Sequence, residues 1–187
     1  MTETIDPTTP APVLRLEGIV KTFPGVRALD GVSLSILPGE VHALMGENGA
    51  GKSTLMKVLG GIHQPDEGQI IVDEQPVVMS GPLDAKAKGI VFIHQELSLA
   101  DELSVAENIY LGELPRKRFG LVDWVELEAK TNTILEKLKV SFNAKTRVGD
   151  LSIANQQMVE IARALTVDAK AVIFDEPTAS LTDAEKV

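Results

Sequence analysis

Apolar and polar positions alternate in two segments near the N-terminus, the pattern of half-buried strands. The alternation over Val13–Val20 and Val32–Leu37 predicts two strands that each turn one face toward a core. The segment LPGE at Leu37–Glu40 predicts a turn after the second strand. A further turn is predicted at Pro65–Gly68 (PDEG), followed by a strand over Gln69–Asp73.

Three later runs are predominantly apolar, as expected for strands covered on both faces. They are Val41–Met45, Gly89–His94 and Ala171–Phe174. Between the first two, Lys52–Leu59 predicts a helix that ends at the pair Gly60–Gly61. Apolar strands separated by helical segments predict a parallel sheet with helices on both faces.

The pattern becomes helical between residues 96 and 168. The segments VAENIYLG, VELEAKTNTILEKLKV and NQQMVEIARALTV have helical periodicity. In the last of them, Met158, Ile161, Ala162 and Leu165 fall on one apolar stripe. We therefore expect a helical insertion between two core strands.

Composition narrows the class of protein. The 187 residues are enough for one domain of ordinary size, and a net charge of −9 argues against a general nucleic-acid binder. The absence of cysteine excludes disulfides and thiolate metal sites. No run reaches the roughly 18–20 apolar residues of a membrane span, so we expect any membrane role to come through a partner. Residues 1–12 lack the features of a signal peptide and predict a disordered leader.

The segment MGENGAGKST contains G-x4-G-K-[ST], the pattern of a phosphate-binding loop. Its glycines permit a tight bend in which backbone N–H groups surround a triphosphate, and the next helix points its positive end at the phosphates. Lys52 would reach the β- and γ-phosphates, Ser53 would ligate Mg²⁺, and Thr54 would donate to the α-phosphate. The alternative is a glycine-rich turn without a ligand, which the flanking strand and helix patterns disfavour. The predicted ATP-binding residues of the loop are Gly46, Glu47, Asn48, Gly49, Ala50, Gly51, Lys52, Ser53 and Thr54.

A second candidate element is AVIFDEP, an apolar strand that ends in two carboxylates. The carboxyl ends of strands are where ligands bind in open α/β folds. Asp175 would hold Mg²⁺ through water, and Glu176 would orient or deprotonate the attacking water. An ordinary acidic exit from a strand is the alternative, which the phosphate-binding loop upstream disfavours.

Four segments together resemble the ATP-binding subunits of ABC transporters. GENGAGKST resembles their Walker A, FIHQELSL their glutamine loop, LSIANQQMVEIARAL their signature helix, and VIFDEPTASL their Walker B with the start of the D-loop. The resemblance implies an α/β fold: a P-loop NTPase core with a mostly parallel sheet, an antiparallel β subdomain and a helical insertion. FPGVRALDGVSLSI and IHQELSLADELSVAENIYLG further resemble the first ATPase half of bacterial importers for ribose, galactose, xylose and related sugars.

The resemblance also implies roles for residues outside the loop. Phe23 would stack on adenine, although a core phenylalanine is the alternative. Gln95 would contact Mg²⁺ or the attacking water and relay the nucleotide state, so that residues 95–110 couple to a permease. His63, in a polar loop, carries no functional signal, and His42 is expected to be structural.

The implied partners and location follow from the same resemblance. We expect ATP and Mg²⁺ as cofactors and transmembrane permease subunits as partners, with an extracytoplasmic sugar-binding protein acting indirectly and no nucleic acid. A second ATPase domain, in the same polypeptide or in a second copy, would complete a nucleotide sandwich. The location would be the cytoplasmic face of the bacterial inner membrane, and the sugar itself is not encoded in these motifs.

Two motifs depart from the family pattern. The signature reads Ser152, Ile153, Ala154, Asn155 after a leucine, where the family has LSGGQ. Side chains at the two glycine positions would obstruct the approach of backbone N–H groups to the γ-phosphate, which predicts a weakened site on the partner domain. In the D-loop, Thr182 stands at the aspartate position, and a substitute role for Asp183 stays open.

The family places another core strand, ending in a histidine, after Walker B, whereas this sequence ends at Val187. We therefore expect residues 13–95 and 166–187 to form an incomplete nucleotide-binding core and residues 96–165 a helical subdomain. Such a chain alone would bind MgATP weakly, hydrolyse it negligibly and aggregate.

The expected function is ATP hydrolysis that powers sugar uptake, with catalysis by Glu176, Lys52 and Gln95. One alternative is an ABC-type ATPase outside transport, which usually carries basic inserts or a coiled-coil arm. Another is a regulatory nucleotide-binding module without turnover, against which Glu176 argues in the parent protein.

Overall fold

A computed structural model describes residues 10–93 and 97–174, which form six strands and five helices. They divide into two compact units. The first contains residues 10–91 and 169–173, and the second contains residues 92–93, 97–168 and 174. The elements are β1 (Leu14–Phe23), β2 (Val26–Ile36), α1 (Lys52–Leu59), β3 (Glu67–Val72), β4 (Gln75–Val77), α2 (Pro82–Ala87), β5 (Ile90–Ile93), α3 (Val105–Ile109), α4 (Trp124–Leu138), α5 (Ile153–Ala164) and β6 (Ala171–Phe174).

The first unit contains an antiparallel sheet with the strand order β2-β1-β3-β4. Leu14 pairs with Ile36 of β2 on one side and with Val72 of β3 on the other. Because β1 is central, its alternating apolar residues Leu14 and Leu16 are each only 1% exposed. The predicted antiparallel subdomain is confirmed, with longer strands than the alternation indicated.

Helix α1 has the bounds that its periodicity predicted. It runs from Lys52 to Leu59 and buries Leu55, Val58 and Leu59. The backbone N–H of Gly60 donates to the carbonyl of Met56 at 2.8 Å, which closes the last turn. The glycines after the helix therefore end it as predicted.

The second sheet pairs β5 with β6 in parallel. Where these strands begin, the N–H groups of Lys170 and Ala171 both donate to the carbonyl of Gly89, at 2.9 and 3.1 Å. The strand predicted over Gly89–His94 is thus found at Ile90–Ile93, and His94 lies outside the described residues. The strand predicted at Ala171–Phe174 is confirmed.

The strand predicted over Val41–Met45 is not formed. Val41 is 97% exposed and Met45 is 89% exposed, and no strand is assigned between β2 and α1. A strand is stable only where a neighbouring strand pairs with its N–H and C=O groups. Within residues 10–93 and 97–174, none lies beside this segment, so its apolar composition alone was insufficient.

The second unit is helical, as the fold class predicted. Val105 and Ile109 of α3, Leu135 of α4, and Val159 and Ala162 of α5 form its core, each at most 4% exposed. The apolar stripe predicted for α5 included Leu165, but this residue is 47% exposed, so the prediction is wrong there. Helix α5 ends at Ala164, and its buried face is centred on Val159 instead of Met158.

Asn108 is a buried polar residue of α3 that fixes the loop before this helix. Its side chain accepts a hydrogen bond from the N–H of Ala100 at 2.8 Å and donates to the carbonyls of Ala100 and Ser104 at 3.0 and 3.1 Å. Burial without these partners would be costly. Asn108 thus holds the segment that follows Gln95 against the helical core.

Candidate phosphate-binding site

The predicted phosphate-binding loop leads directly into α1. Gly51 is the residue that caps the helix, with a left-handed backbone at φ +89°. A Cβ at this position would lie 2.5 Å from the carbonyl oxygen of Ala28 in β2. The glycine is therefore required both by its backbone conformation and by its contact with the neighbouring strand.

The first turn of α1 presents open backbone donors. The first intrahelical bond runs from the N–H of Leu55 to the carbonyl of Gly51, at 2.9 Å. The N–H groups of Lys52, Ser53 and Thr54 have no acceptor among the described residues, and no side chain caps this end. Open donors at the positive end of a helix favour the binding of an anion.

The ammonium group of Lys52 lies against the loop. Its Nζ donates to the carbonyl of Gly46 at 2.6 Å and to that of Glu47 at 2.9 Å. A Cβ on Gly46 would lie 3.2 Å from the Cβ of Ala50, so the loop is tightly curved around this cation. An ammonium has three N–H groups, which leaves one to donate to an anion at the loop.

The metal-binding residues predicted from sequence are only partly described. Ser53 is exposed on the first turn of α1, and its hydroxyl has no hydrogen-bond partner in the described part of the chain. It therefore fits as one oxygen ligand of Mg²⁺. Gln95, Asp175 and Glu176 lie outside the described residues, as do the D-loop positions 182 and 183. Across residues 10–93 and 97–174, no group of three or more His, Asp or Glu residues could hold a metal.

Phe23, the residue expected to stack on adenine, ends β1. Its ring makes an edge contact with the imidazole of His63, with centroids 5.2 Å apart and planes at 69°. Nζ of Lys21 lies 5.8 Å from the centroid of the same ring. No sequence pattern indicated a role for His63, because a contact between residues 40 positions apart leaves no local periodicity.

The segment that resembles the ABC signature begins α5 in the second unit. Ser152 caps the helix, and its hydroxyl accepts a hydrogen bond from the N–H of Asn155 at 3.3 Å. Ile153 is 50% exposed, and Ala154 and Asn155 are partly exposed. The side chain of Ile153 thus projects at the helix end where the family pattern has glycine.

The family description "ABC transporter" matches residues 29–179, most of the chain. The chain belongs to the ABC transporter family. This assignment covers both the phosphate-binding loop and the signature segment. It also accounts for the combination of an antiparallel sheet, a parallel pair of strands and a helical unit.

Relatives within the ABC transporter family are named for sugar import. The chain is 58% identical over 174 residues to the ribose import ATP-binding protein RbsA of Jannaschia sp. (strain CCS1). It is 51% identical over 173 residues to a putative ribose/galactose/methyl galactoside import ATP-binding protein of Burkholderia cenocepacia (strain HI2424). These alignments cover 93% and 92% of this chain but 34% and 33% of the relatives, so the chain spans about a third of their length.

A solved ABC transporter structure has the same fold. The ADP conformation of an ATP-binding cassette superposes with a TM-score of 0.79 at 34% identity, covering 91% of this chain and 71% of the other. Within the described residues, no helix combines the length and the apolar character needed to cross a bilayer.

Proposed function

We propose that this chain is the ATP-binding part of an ATPase that powers sugar import through a membrane permease. The observation that carries the proposal is the open N-terminus of α1, where three free N–H groups and the Lys52 ammonium converge on one loop. The import proteins that share 51–58% identity with the chain support a sugar of the ribose or galactose type. The protein would then lie on the cytoplasmic face of the inner membrane.

Catalysis in this proposal is mainly positioning and charge stabilisation. The N–H groups at the start of α1 and the third N–H of Lys52 hold the β- and γ-phosphate oxygens. Ser53, together with Gln95 and Asp175, would hold Mg²⁺, whose positive charge would neutralise the phosphates. Glu176 orients the attacking water or accepts its proton. Gln95 would contact Mg²⁺ or the same water and would relay the nucleotide state to the permease.

The proposal includes a second ATPase domain that closes on this one. The signature residues Ser152 to Asn155 would then cover the nucleotide held by the partner domain. Ser152 and the N–H groups of Ile153 and Ala154, at the start of α5, can still attract a phosphate. The side chains of Ile153 and Ala154 limit how closely those N–H groups approach, which makes the partner site the weaker one.

Restoring glycine at both signature positions should raise ATP turnover at the partner site. The double substitution Ile153→Gly and Ala154→Gly removes the obstructing Cβ atoms, although glycine costs roughly 1 kcal/mol per residue in a helix. Turnover is measured in the ATPase that carries this sequence, with hydrolysis at its own loop blocked by Glu176→Gln. Equal turnover with and without the glycines would contradict the weakened-site hypothesis, provided that circular dichroism shows α5 intact.

The function is tested by nucleotide binding and transport together. The purified ATPase should bind ATP, and the importer containing it should accumulate ribose, galactose or methyl galactoside only when ATP is supplied. ATP binding without association with a permease would favour an ATPase outside transport. ATP binding and assembly with a permease, but no hydrolysis, would favour a regulatory module. Absence of ATP binding would refute the proposal altogether.

A further inference from the structure

His63 is tied to the helix that carries the phosphate-binding loop. After α1, the N–H groups of Ile62 and His63 both donate to the carbonyl of Lys57, at 2.9 and 3.1 Å. These bonds fix the backbone of His63 to the last turn of α1. The imidazole is thereby placed by the same eight-residue helix whose first turn forms the phosphate site.

The imidazole of His63 and the ring of Phe23 meet in a favourable geometry. With centroids 5.2 Å apart and planes at 69°, the rings form an edge-to-face pair. Both side chains are only partly buried. Part of the Phe23 ring therefore stays accessible to a ligand while His63 restricts its rotation.

The end of β1 is held from the other side by an ion pair. Nζ of Lys21 donates to the Asp66 carboxylate at 2.7 Å, the N–H of Thr22 donates to its second oxygen at 2.7 Å, and the N–H of Asp66 donates to the carbonyl of Val20 at 2.8 Å. The bonds from Lys21 and Thr22 lower the pKa of the Asp66 carboxyl, because they stabilise its charged form. The strand end that carries Phe23 is thus anchored before β3.

The end of the hairpin that carries Phe23 adjoins the phosphate-binding loop. Phe23 pairs with Val26 at the β1–β2 turn. Two residues further along β2, the carbonyl oxygen of Ala28 lies within 2.5 Å of the Cβ position at Gly51, the residue that starts α1. The turn that carries Phe23 therefore lies two residues along β2 from the strand's contact with the start of α1.

We propose that His63 is a positioning residue for the nucleotide base, acting through Phe23. This inference rests on the proposed ATP-binding function and extends it to a residue outside the family motifs. His63 holds the Phe23 ring by its edge, so that the accessible face is oriented for stacking before the nucleotide arrives. Loss of the imidazole frees the ring to rotate, and the base then binds to a less ordered surface.

The test compares ATP with tripolyphosphate, which has the phosphate chain but no base. In the ATPase that carries this sequence, His63→Ala should weaken ATP binding about 3- to 10-fold and leave tripolyphosphate binding unchanged, as measured by isothermal titration calorimetry. His63→Phe retains a ring edge and should restore ATP affinity. His42→Ala, which removes an exposed histidine bonded to Glu40, is the matched control and should change neither affinity.

A double-substitution cycle separates positioning from general damage. Phe23→Ala should itself weaken ATP binding, and adding His63→Ala to it should have no further effect. Equal weakening of ATP and tripolyphosphate by His63→Ala, unchanged ATP affinity, or a full effect in the Phe23→Ala background would each overturn the inference. A wild-type protein that binds neither ligand would overturn the proposed function and this inference with it.

Discussion

Replacing Lys52 with alanine should weaken ATP binding about 10- to 100-fold and abolish sugar uptake. A hydrogen bond from a charged donor contributes about 1.5–3 kcal/mol, and loss of the one bond that Lys52 can still donate to a phosphate oxygen corresponds to this factor. The substitution also removes the cation that bonds to the carbonyls of Gly46 and Glu47. Calorimetry on the purified ATPase and a transport assay on the importer measure the two effects.

Lys57→Ala provides the matched control for that experiment. Lys57 is an exposed lysine in the last turn of the same helix, so its removal changes the net charge equally. It should leave ATP affinity within about twofold of wild type, because surface substitutions are usually small in effect. Unimpaired uptake by the Lys52→Ala importer would refute the proposed role of the loop.

Glu176→Gln should reduce ATP hydrolysis by at least about 100-fold while ATP binding is retained. A positioned general base contributes about 100- to 10,000-fold, and glutamine preserves the size of the side chain but does not accept a proton from water. Single-turnover hydrolysis and equilibrium binding separate the two steps. The expected result is a protein that binds ATP and holds it unhydrolysed.

Asp168→Asn is the control for the glutamate substitution. Asp168 is an exposed carboxylate that precedes β6, and its neutralisation should leave hydrolysis unchanged. Full turnover by the Glu176→Gln protein would assign the water-activating role to another residue. Equal loss in both variants would point to a general charge effect instead of general-base catalysis.

Sequence patterns predicted the helices and strands whose bounds depend on residues close together in the chain. Helix α1 has the bounds that periodicity and the glycines after it indicated, and strand β6 has those of its apolar run. The prediction of a strand at Val41–Met45 was wrong because a strand needs a partner strand. The apolar composition of a segment does not show whether such a partner lies beside it in the fold. The apolar stripe predicted for α5 was correct at Ala162 and wrong at Leu165, because the packing of α3 and α4 selects which residues face the core.

The candidate site was also predicted only in part from the sequence. The motif spacing predicted a loop, an adjoining helix and a lysine, and the structure places these together with three open N–H groups. The contact between Phe23 and His63 joins residues on different elements, and no spacing rule connects them. The bonds of Lys52 to loop carbonyls were not foreseen either, because the motif relates this residue only to phosphate.

The two carbonyl bonds of Lys52 hold its ammonium group against the loop before any anion binds. Two of its three N–H groups are engaged at 2.6 and 2.9 Å, so a bound phosphate gains the third without the entropy cost of ordering this long side chain. The loop is therefore preorganised for an anion, which lowers the entropic penalty of binding.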